Sequence, residues 1–111
     1  PNTICMTHMS HVYPQGANLY FIFLAKMSSL EEFKAYHAGI LDAIQKSGAA
    51  MSHHHGIGKM FGPWLEGAVG RNEYGVIRAL KQYFDPDNIM NPGGTLGLDV
   101  PQEEKRFLKA L

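Results

Sequence analysis

The chain has 111 residues and a mass of 12.3 kDa, the size of one compact domain. Hydrophobic residues make up 45% and charged residues 18%, so the sequence can bury a core and is not typical of a disordered protein. Ten basic side chains balance ten acidic ones, which argues against a nucleic-acid surface, a polybasic membrane patch or a protein that collects acidic ligands. Cys5 is the single cysteine, which excludes an internal disulfide framework and a cysteine-only metal cluster.

The sequence predicts neither a membrane span nor a signal peptide. No apolar run approaches the roughly 20 residues that cross a bilayer, and no charged segment followed by an apolar stretch marks a leader. We therefore expect a protein of the cytoplasm or an organelle matrix. The chain begins at Pro1 rather than Met, and we expect it to be a piece of a longer protein.

Two segments near the start are predicted to form a β-hairpin. Residues 3–13 and 18–26 are rich in Ile, Val, Tyr, Phe and Thr, which suit a strand. Pro14-Gln15-Gly16 between them is typical of a turn, because proline presets φ and glycine permits positive φ. Residues 19–24 are apolar on both faces, which predicts a strand that is covered on both sides.

An amphipathic helix is predicted over residues 30–47. Ser29 and Glu32 have the spacing of a capping box, and Gly48 is suited to end the helix in the left-handed conformation. Residues 49–53 are predicted to form a short third strand that returns to the sheet and ends at the following Gly-Ile-Gly. The apolar stripe of the helix consists of Leu30, Phe33, His37, Ile40, Leu41 and Ile44.

The last third of the chain is predicted to be helical. Pro63 suits the first turn of a short helix that runs to about Val69, and Asn72 is the predicted cap of a second helix, which Asp85-Pro86 ends. Asn-Pro-Gly-Gly at 91–94 is typical of a tight turn, and residues 101–111 are predicted to form a loose or helical tail. The side chains expected to face inward from the second helix are Ile77, Leu80 and Phe84.

A hairpin followed by helices indicates an α+β domain with an antiparallel sheet and packed helices. The sequence has no repeat and no low-complexity tract, so we expect a single domain over residues 1–111. Its parts are the strands and helix over about 1–60, a closing helical segment over about 61–98, and a tail over 99–111.

The first candidate functional residues are three consecutive histidines. His53, His54 and His55 precede Gly-Ile-Gly and Lys59, and alternation along a strand would place His53 and His55 on one face. Imidazoles at a strand end can move protons near neutral pH, and Lys59 offers a positive charge to a phosphate or carboxylate. The alternative is a polar strand edge without a function.

A zinc site is the next possibility, and the spacing argues against it. His8 and His11 are three residues apart, so a strand places them on opposite faces and they do not converge with the triplet. No Asp or Glu is near either group of histidines, and we expect no metal. Cys5 lies in an apolar strand and is expected to be a core residue.

Tyr20 and Tyr13 are the second group of candidates. Tyr20 lies among apolar residues, where it is either a core tyrosine with a bonded hydroxyl or a general acid/base. The second role requires a positive or polar group nearby, which the strand of His53 and His55 would supply if the two strands are neighbours. Tyr13 raises the same question.

Three motifs of the chain resemble the C-terminal segment of FAD-linked oxidases of the vanillyl-alcohol-oxidase type. They are residues 13–21, 52–59 and 85–93, and their order and spacing cover residues 7–98. The chain is most similar to the branch of the alkyl-dihydroxyacetonephosphate synthases, and the histidine triplet is the most specific of its features. In the branch of the 2-hydroxy-acid dehydrogenases, two histidines and a glutamate help to hold a divalent metal.

The positions that match those metal ligands favour the synthase branch. They are Tyr13, Tyr20 and His54 in this chain, and two phenols with an imidazole are a poor divalent site. Gly94 is a further departure, because a lysine often follows the Asn-Pro-Gly turn in the wider family.

The resemblance implies a fold and a reaction. The chain would be part of a ferredoxin-like cap domain, and its partner would be an N-terminal FAD-binding domain of the same protein. The complete enzyme would exchange the acyl group of acyl-dihydroxyacetonephosphate for a fatty alcohol in ether-lipid synthesis, with no net redox change. Its membrane association would come only through the lipid substrate.

The resemblance also implies roles for the candidate residues. Tyr20 would be the acid/base at the substrate carbon, and His53, His54 and His55 would line the same pocket, assist proton movement and hold the phosphate end of the substrate. Asn91 and His55 would contact the flavin, while Tyr13 and Lys59 would bind substrate. The list of residues that would carry the chemistry is therefore Tyr13, Tyr20, His53, His54, His55, Lys59 and Asn91.

Two other functions stay open from the sequence. One is an FAD-dependent oxidoreductase that acts on a 2-hydroxy acid or an alcohol, and the other is a non-catalytic binding domain. We expect the isolated fragment to be inactive and to retain no FAD. Apolar surface left exposed where the FAD domain docks would favour self-association, which allows a homodimer.

Overall fold

The computed structural model describes residues 3–106. The chain divides after Gly39 into two compact units. No helix within residues 3–106 is long and apolar enough to cross a membrane. The elements in chain order are β1 (Thr3–Tyr13), β2 (Gly16–Ala25), α1 (Leu30–Lys46), α2 (Gly58–Val69), α3 (Arg71–Phe84) and a 3-10 turn (Gln102–Glu104).

The first unit contains the hairpin that the sequence predicts. β1 and β2 pair antiparallel from Thr3↔Ala25 to Tyr13↔Gly16, so the chain reverses through Pro14 and Gln15. A bulge between Ser10 and Val12 shifts the register of the two strands by one inserted residue. That residue is His11, whose φ of 52° lies in the left-handed region.

Two expectations about the hairpin are wrong. Phe21 and Ile22 are about half exposed, so residues 19–24 do not form a strand covered on both sides by this chain. Cys5 is exposed rather than in a core. The physical reason is that a two-stranded sheet gives each side chain only one neighbouring strand to pack against, and apolar composition by itself does not supply a covering layer.

Helix α1 begins with the predicted cap. The backbone N–H of Glu32 donates to Ser29 Oγ (3.1 Å), and Glu32 Oε2 accepts from the N–H of Ser28 (2.7 Å). The reciprocal bond of the capping box is therefore shifted by one residue. Gly48 follows the helix with a φ of 77°, as the sequence predicts. Of the predicted stripe, Leu41 is buried, whereas Leu30 and Phe33 are exposed.

The predicted third strand at 49–53 is wrong. Residues 49–57 form an irregular loop between α1 and α2, without strand pairing. Gly48, Gly56 and Gly58 all have positive φ, so the backbone reverses direction on both sides of the histidines instead of extending. Within residues 3–106 the sheet consists of β1 and β2 alone, so this segment adds no strand to it.

In the second unit, α2 and α3 follow one another with only Gly70 between them. α2 begins at Gly58, before the predicted start at Pro63, which lies inside the helix. Asn72 is not the cap of α3, because the helix begins at Arg71 and the cap position is Gly70, whose φ is 96°. The buried hydrophobic residues of residues 3–106 are Leu41, Trp64, Leu65 and Tyr74.

The inward face of α3 also differs from the prediction. Tyr74 is the buried residue, at 1% exposure, whereas Leu80 is 54% and Phe84 71% exposed. Ile77 is only half-buried. Helical spacing shows that these side chains share a stripe, but it does not show that this chain covers the stripe. The tail contains the 3-10 turn, and its predicted residues 107–111 lie outside the described residues.

Candidate functional site

Tyr20 lies on β2 directly opposite His8 of β1. The two rings are 6.2 Å apart between centroids and are tilted by 33°. Opposite residues of an antiparallel pair share a face, so the phenol has an imidazole as its neighbour. Tyr13 lies at the turn end of β1 and is about half exposed. The hairpin therefore presents both predicted tyrosines, with a titratable histidine beside the second.

Asn18 is a further polar residue of the same strand, and no motif in the sequence marks it as a site residue. Its Nδ2 atom is buried and has no hydrogen-bond partner within residues 3–106. Asn18 and Tyr20 are two positions apart on β2, so they point to the same side of the hairpin. A buried donor without a partner is rare in folded proteins.

The three histidines are exposed in the loop before α2. His53 Nδ1 and His54 Nδ1 are 2.8 Å apart, which is a hydrogen bond in which one ring donates and the other accepts. The His54 and His55 rings meet at 4.3 Å between centroids with an interplanar angle of 78°. The three rings thus form a continuous run, instead of alternating as on a strand. A hydrogen-bonded imidazole pair can hold and pass a proton near neutral pH.

Helix α2 begins directly after the histidine loop. Ile57 is its cap residue and makes no side-chain cap hydrogen bond, and the first turn holds no acidic residue. The first backbone N–H groups of a helix have no partner inside the helix, and they carry a partial positive charge. Lys59 in this turn adds a full charge, so this end of α2 is electropositive.

Lys59 lies against the Asn-Pro-Gly turn. A β-carbon placed on Gly93 would be 3.8 Å from Lys59 Nζ. Asn91 has a φ of 50° and Gly93 a φ of 71°, and the Gly94 N–H donates to the Asn91 carbonyl (3.1 Å). A β-carbon on Gly94 would lie only 2.7 Å from Asn91 Oδ1, so a side chain at this position would displace the amide. The structure therefore brings Lys59 and the turn of Asn91 together.

Asp85 organises the segment that leads to this turn. Its carboxylate accepts from the backbone N–H groups of Ile89 and Met90 (both 2.9 Å) and from Lys81 Nζ. The Lys81 hydrogen bond, aided by these two N–H groups, lowers the pKa of Asp85 below its ordinary value. Asp85 itself is 6% exposed. From the sequence, Asp85 is expected only to end a helix, although Lys81 four residues earlier is placed to pair with its carboxylate.

Asp99 contacts the same segment from its other end. Its Oδ2 accepts from the Gly93 N–H (2.7 Å), and its Oδ1 accepts from Asn88 Nδ2 (3.2 Å). Thr95 Oγ1 adds a hydrogen bond to the Asn91 carbonyl (3.0 Å). Nothing in the order of residues predicts the Asp99 contacts, because they depend on how the chain returns after Gly94.

Tyr74 and its neighbours pack against the segment that follows the Asn91 turn. The Tyr74 hydroxyl donates to the Leu96 carbonyl (3.2 Å), and burial raises the pKa of this phenol. Lys105 Nζ lies 4.8 Å from the Tyr74 ring centroid and 2.7 Å from Glu66 Oε2. These contacts connect α2, α3 and the segment after the turn.

The predicted residues thus fall into two groups. Tyr13 and Tyr20 belong to the hairpin of the first unit, whereas the histidine triplet, Lys59 and the turn of Asn91 belong to the second. The predicted grouping of Tyr20 with the histidines stays a prediction.

Comparison with known proteins identifies the family. A family model described as FAD linked oxidases, C-terminal domain, matches residues 2–95. The alkyldihydroxyacetonephosphate synthase of Dictyostelium discoideum is 39% identical over 95 residues, which cover 83% of this chain and 15% of that protein. An uncharacterized FAD-linked oxidoreductase of Escherichia coli, YgcU, is 36% identical over 93 residues, covering 78% of this chain and 19% of the relative.

Other comparisons agree on the family and differ in the activity they name. Glycolate oxidase subunit GlcD of Bacillus subtilis is 33% identical over 71 residues, which cover 64% of this chain and 15% of that protein. No solved structure matches the chain. The chain spans less than a fifth of the length of these relatives. It belongs to the family of FAD-linked oxidase C-terminal domains.

Proposed function

We propose that the chain is the substrate-side part of an FAD-dependent enzyme of the alkyl-dihydroxyacetonephosphate synthase type. The complete enzyme exchanges the acyl group of acyl-dihydroxyacetonephosphate for a fatty alcohol. The observation that carries the proposal is the chemistry of two sets of side chains. A tyrosine beside a histidine, and a run of three imidazoles, are groups that move protons at a substrate, which an exchange without net redox change needs. The 39% identity with a synthase supports it.

The segment around Asn91 fits a flavin ring. Ile89 and Met90 are exposed apolar side chains against which a flat ring can pack, and Gly93, whose φ is 71°, lets the backbone turn next to Asn91 without a side chain. Asn91 offers an amide at the same place. When bound, FAD supplies the electronic stabilisation of the substrate carbon that no side chain here can give. An N-terminal FAD-binding domain outside this chain would hold the rest of the cofactor.

Each residue then has a defined task. Tyr20 takes a proton from the substrate carbon and returns it. His53, His54 and His55 pass protons to and from that pocket, and His55 also contacts the flavin with Asn91. Lys59, together with the electropositive start of α2, holds the phosphate end of the substrate, and Tyr13 contributes to substrate binding.

The remaining parts of the proposal concern assembly and location. The hairpin forms part of the antiparallel sheet of a ferredoxin-like cap, which the rest of the protein completes. The exposed apolar face of α3, including Leu80 and Phe84, suits docking on the FAD domain or a homodimer contact. The isolated chain is inactive and retains no FAD. The enzyme works in the cytoplasm and meets membranes through its lipid substrate.

One other function has an observation in its favour. The similarity to a glycolate oxidase subunit favours an FAD-dependent oxidoreductase of a 2-hydroxy acid or alcohol. Such an enzyme would pass electrons to an acceptor, whereas the exchange reaction requires none. The need for an acceptor therefore separates the two functions.

The test uses the full-length protein with palmitoyl-dihydroxyacetonephosphate and hexadecanol, without an electron acceptor. We expect an ether product, and we expect Tyr20→Phe to lower kcat by about 10²–10⁴-fold, because it removes the acid/base. Tyr83→Phe, an exposed tyrosine on α3, is the matched control and keeps full activity. No ether, with dye reduction by a hydroxy acid, would assign the oxidoreductase function. An ether product with an unaffected Tyr20→Phe enzyme would refute the role of Tyr20.

A further inference from the structure

The segment from Asn88 to Gly93 is held by two carboxylates that have no place in the roles above. Near the beginning of the segment, the Asp85 carboxylate accepts hydrogen bonds from the N–H groups of Ile89 and Met90. At the end of the segment, the Asp99 carboxylate accepts a hydrogen bond from the Gly93 N–H. Each carboxylate uses both of its oxygens, since Asp99 also accepts from the Asn88 side chain.

The backbone in this segment needs such support. Asn88 has a φ of 52° and Asn91 a φ of 50°, in the left-handed region that costs an L residue free energy. Asparagine enters this region more readily than other residues with a side chain, and hydrogen bonds from outside the segment favour this shape over the alternatives. The two carboxylates accept hydrogen bonds from backbone N–H groups on either side of Asn91. Because these hydrogen bonds are made to the main chain itself, they restrain its conformation directly.

Lys81 strengthens the contact between Asp85 and this segment. Its ammonium donates both to the Asp85 carboxylate and to the Met90 carbonyl (2.7 Å). The side chain of Lys81 is 15% exposed and that of Asp85 is 4% exposed, so this pair is shielded from water. Met90 is therefore held at its N–H by Asp85 and at its carbonyl by Lys81, directly before Asn91. Charge-assisted hydrogen bonds of this kind are the stronger ones in proteins.

We propose that Asp85 and Asp99 are positioning residues that fix the Asn91 turn, so that the Asn91 amide meets the flavin ring in one orientation. The inference rests on the proposed contact between Asn91 and the flavin. Neither aspartate needs to touch the cofactor or the substrate. Their effect passes through the backbone of residues 88–93 and ends at the Asn91 side chain.

The experiment compares four variants of the full-length, FAD-loaded enzyme. Asp85→Asn removes the negative charge to which Lys81 and the two N–H groups donate. Asp99→Ala removes the carboxylate that accepts from the Gly93 N–H. Asp99 is exposed, so its variant keeps the fold if Asp85→Asn does not. Asp87→Asn, which changes an exposed aspartate directly before the segment, is the matched control. Asn91→Ala is the reference for the group on which both aspartates act.

Two readouts do not depend on the identity of the substrate. Amide exchange of the peptide that spans residues 86–95 should quicken about tenfold or more in Asp85→Asn and Asp99→Ala and stay unchanged in Asp87→Asn. The visible flavin spectrum should shift in the first two variants in the same direction as in Asn91→Ala. Faster exchange without a spectral shift would mean that the two aspartates stabilise the segment but do not position Asn91 at the flavin. That result would overturn the inference.

A double-mutant cycle gives the decisive comparison. With whichever substrate the wild-type enzyme turns over, Asp99→Ala should lower kcat about 10-fold to 100-fold with little change in KM. In the Asn91→Ala background it should lower kcat no further, because the effect passes through the missing amide. Additive losses would overturn the inference. A wild-type enzyme that makes no ether refutes the proposed function instead, and leaves this cycle to be measured on its actual reaction.

Discussion

Replacing Gly97 by alanine tests how the segment after the Asn91 turn is fastened to α2. Gly97 is buried and has a φ of 73°. A β-carbon there would overlap the carbonyl group of Gly62 on α2, lying 2.7 Å from its carbon and 2.9 Å from its Cα. These contacts are with backbone, so no side-chain rotation relieves them. The two backbones can approach this closely only because both residues are glycine.

The control is Gly48→Ala, which separates conformational strain from overlap. Gly48 has a φ of 77°, nearly that of Gly97, and apart from its chain neighbours no atom of the described residues lies within 4 Å of its β-carbon position. An L residue in the left-handed region costs about 1–2 kcal/mol, so this is the expected loss for Gly48→Ala. Forcing extra volume into a packed site costs about 1–3 kcal/mol more. Gly97→Ala should therefore lower the free energy of unfolding by about 2–5 kcal/mol.

Urea unfolding followed by Trp64 fluorescence measures both variants. Trp64 is the single tryptophan, is buried, and lies two residues after Gly62 on α2, so it reports on this contact. With a slope of about 2 kcal/mol per molar urea, an extra 2 kcal/mol places the midpoint of Gly97→Ala about 1 M below that of Gly48→Ala. Equal midpoints would refute the argument, because they would mean that the Gly62 contact does not constrain the segment.

Two further predictions concern the support of the site. Tyr74→Phe should lower the free energy of unfolding by about 1 kcal/mol, because the Leu96 carbonyl loses its donor while the ring stays packed; Tyr83→Phe, at an exposed position, should leave the urea midpoint unchanged, and equal shifts would contradict the assignment. Hydrogen bonding by Lys81 first, and then by two backbone N–H groups, lowers the pKa of Asp85 from 3.8. Because the folded pKa lies below the unfolded one, the stabilisation by Asp85 is complete above pH 3.8 and is lost as the pH falls through the folded value. The urea midpoints of wild type and Asp85→Asn should therefore differ at neutral pH and approach each other below pH 3.8, and a constant difference would contradict this pKa direction.

Local rules in the sequence determined several elements. The hairpin follows from β-prone residues on both sides of Pro14 and Gln15, and the start of α1 from the spacing of Ser29 and Glu32. The left-handed Gly48 follows from the absence of a side chain. The three motifs at residues 13–21, 52–59 and 85–93 indicated the family, which the family match over residues 2–95 confirms. Each of these features depends on residues that are close together in the chain.

Only the tertiary structure decided which faces are buried and what the loops contact. Ile77, Leu80 and Phe84 form a stripe by spacing, yet Tyr74 is the buried residue of α3, because burial depends on which chain segment packs against the helix. The loop in place of the third strand follows from glycines that reverse the backbone at both of its ends. The hydrogen bond from the Gly93 N–H to Asp99 forms only because the chain folds back on the turn after Gly94. Composition and periodicity do not show where a chain folds back.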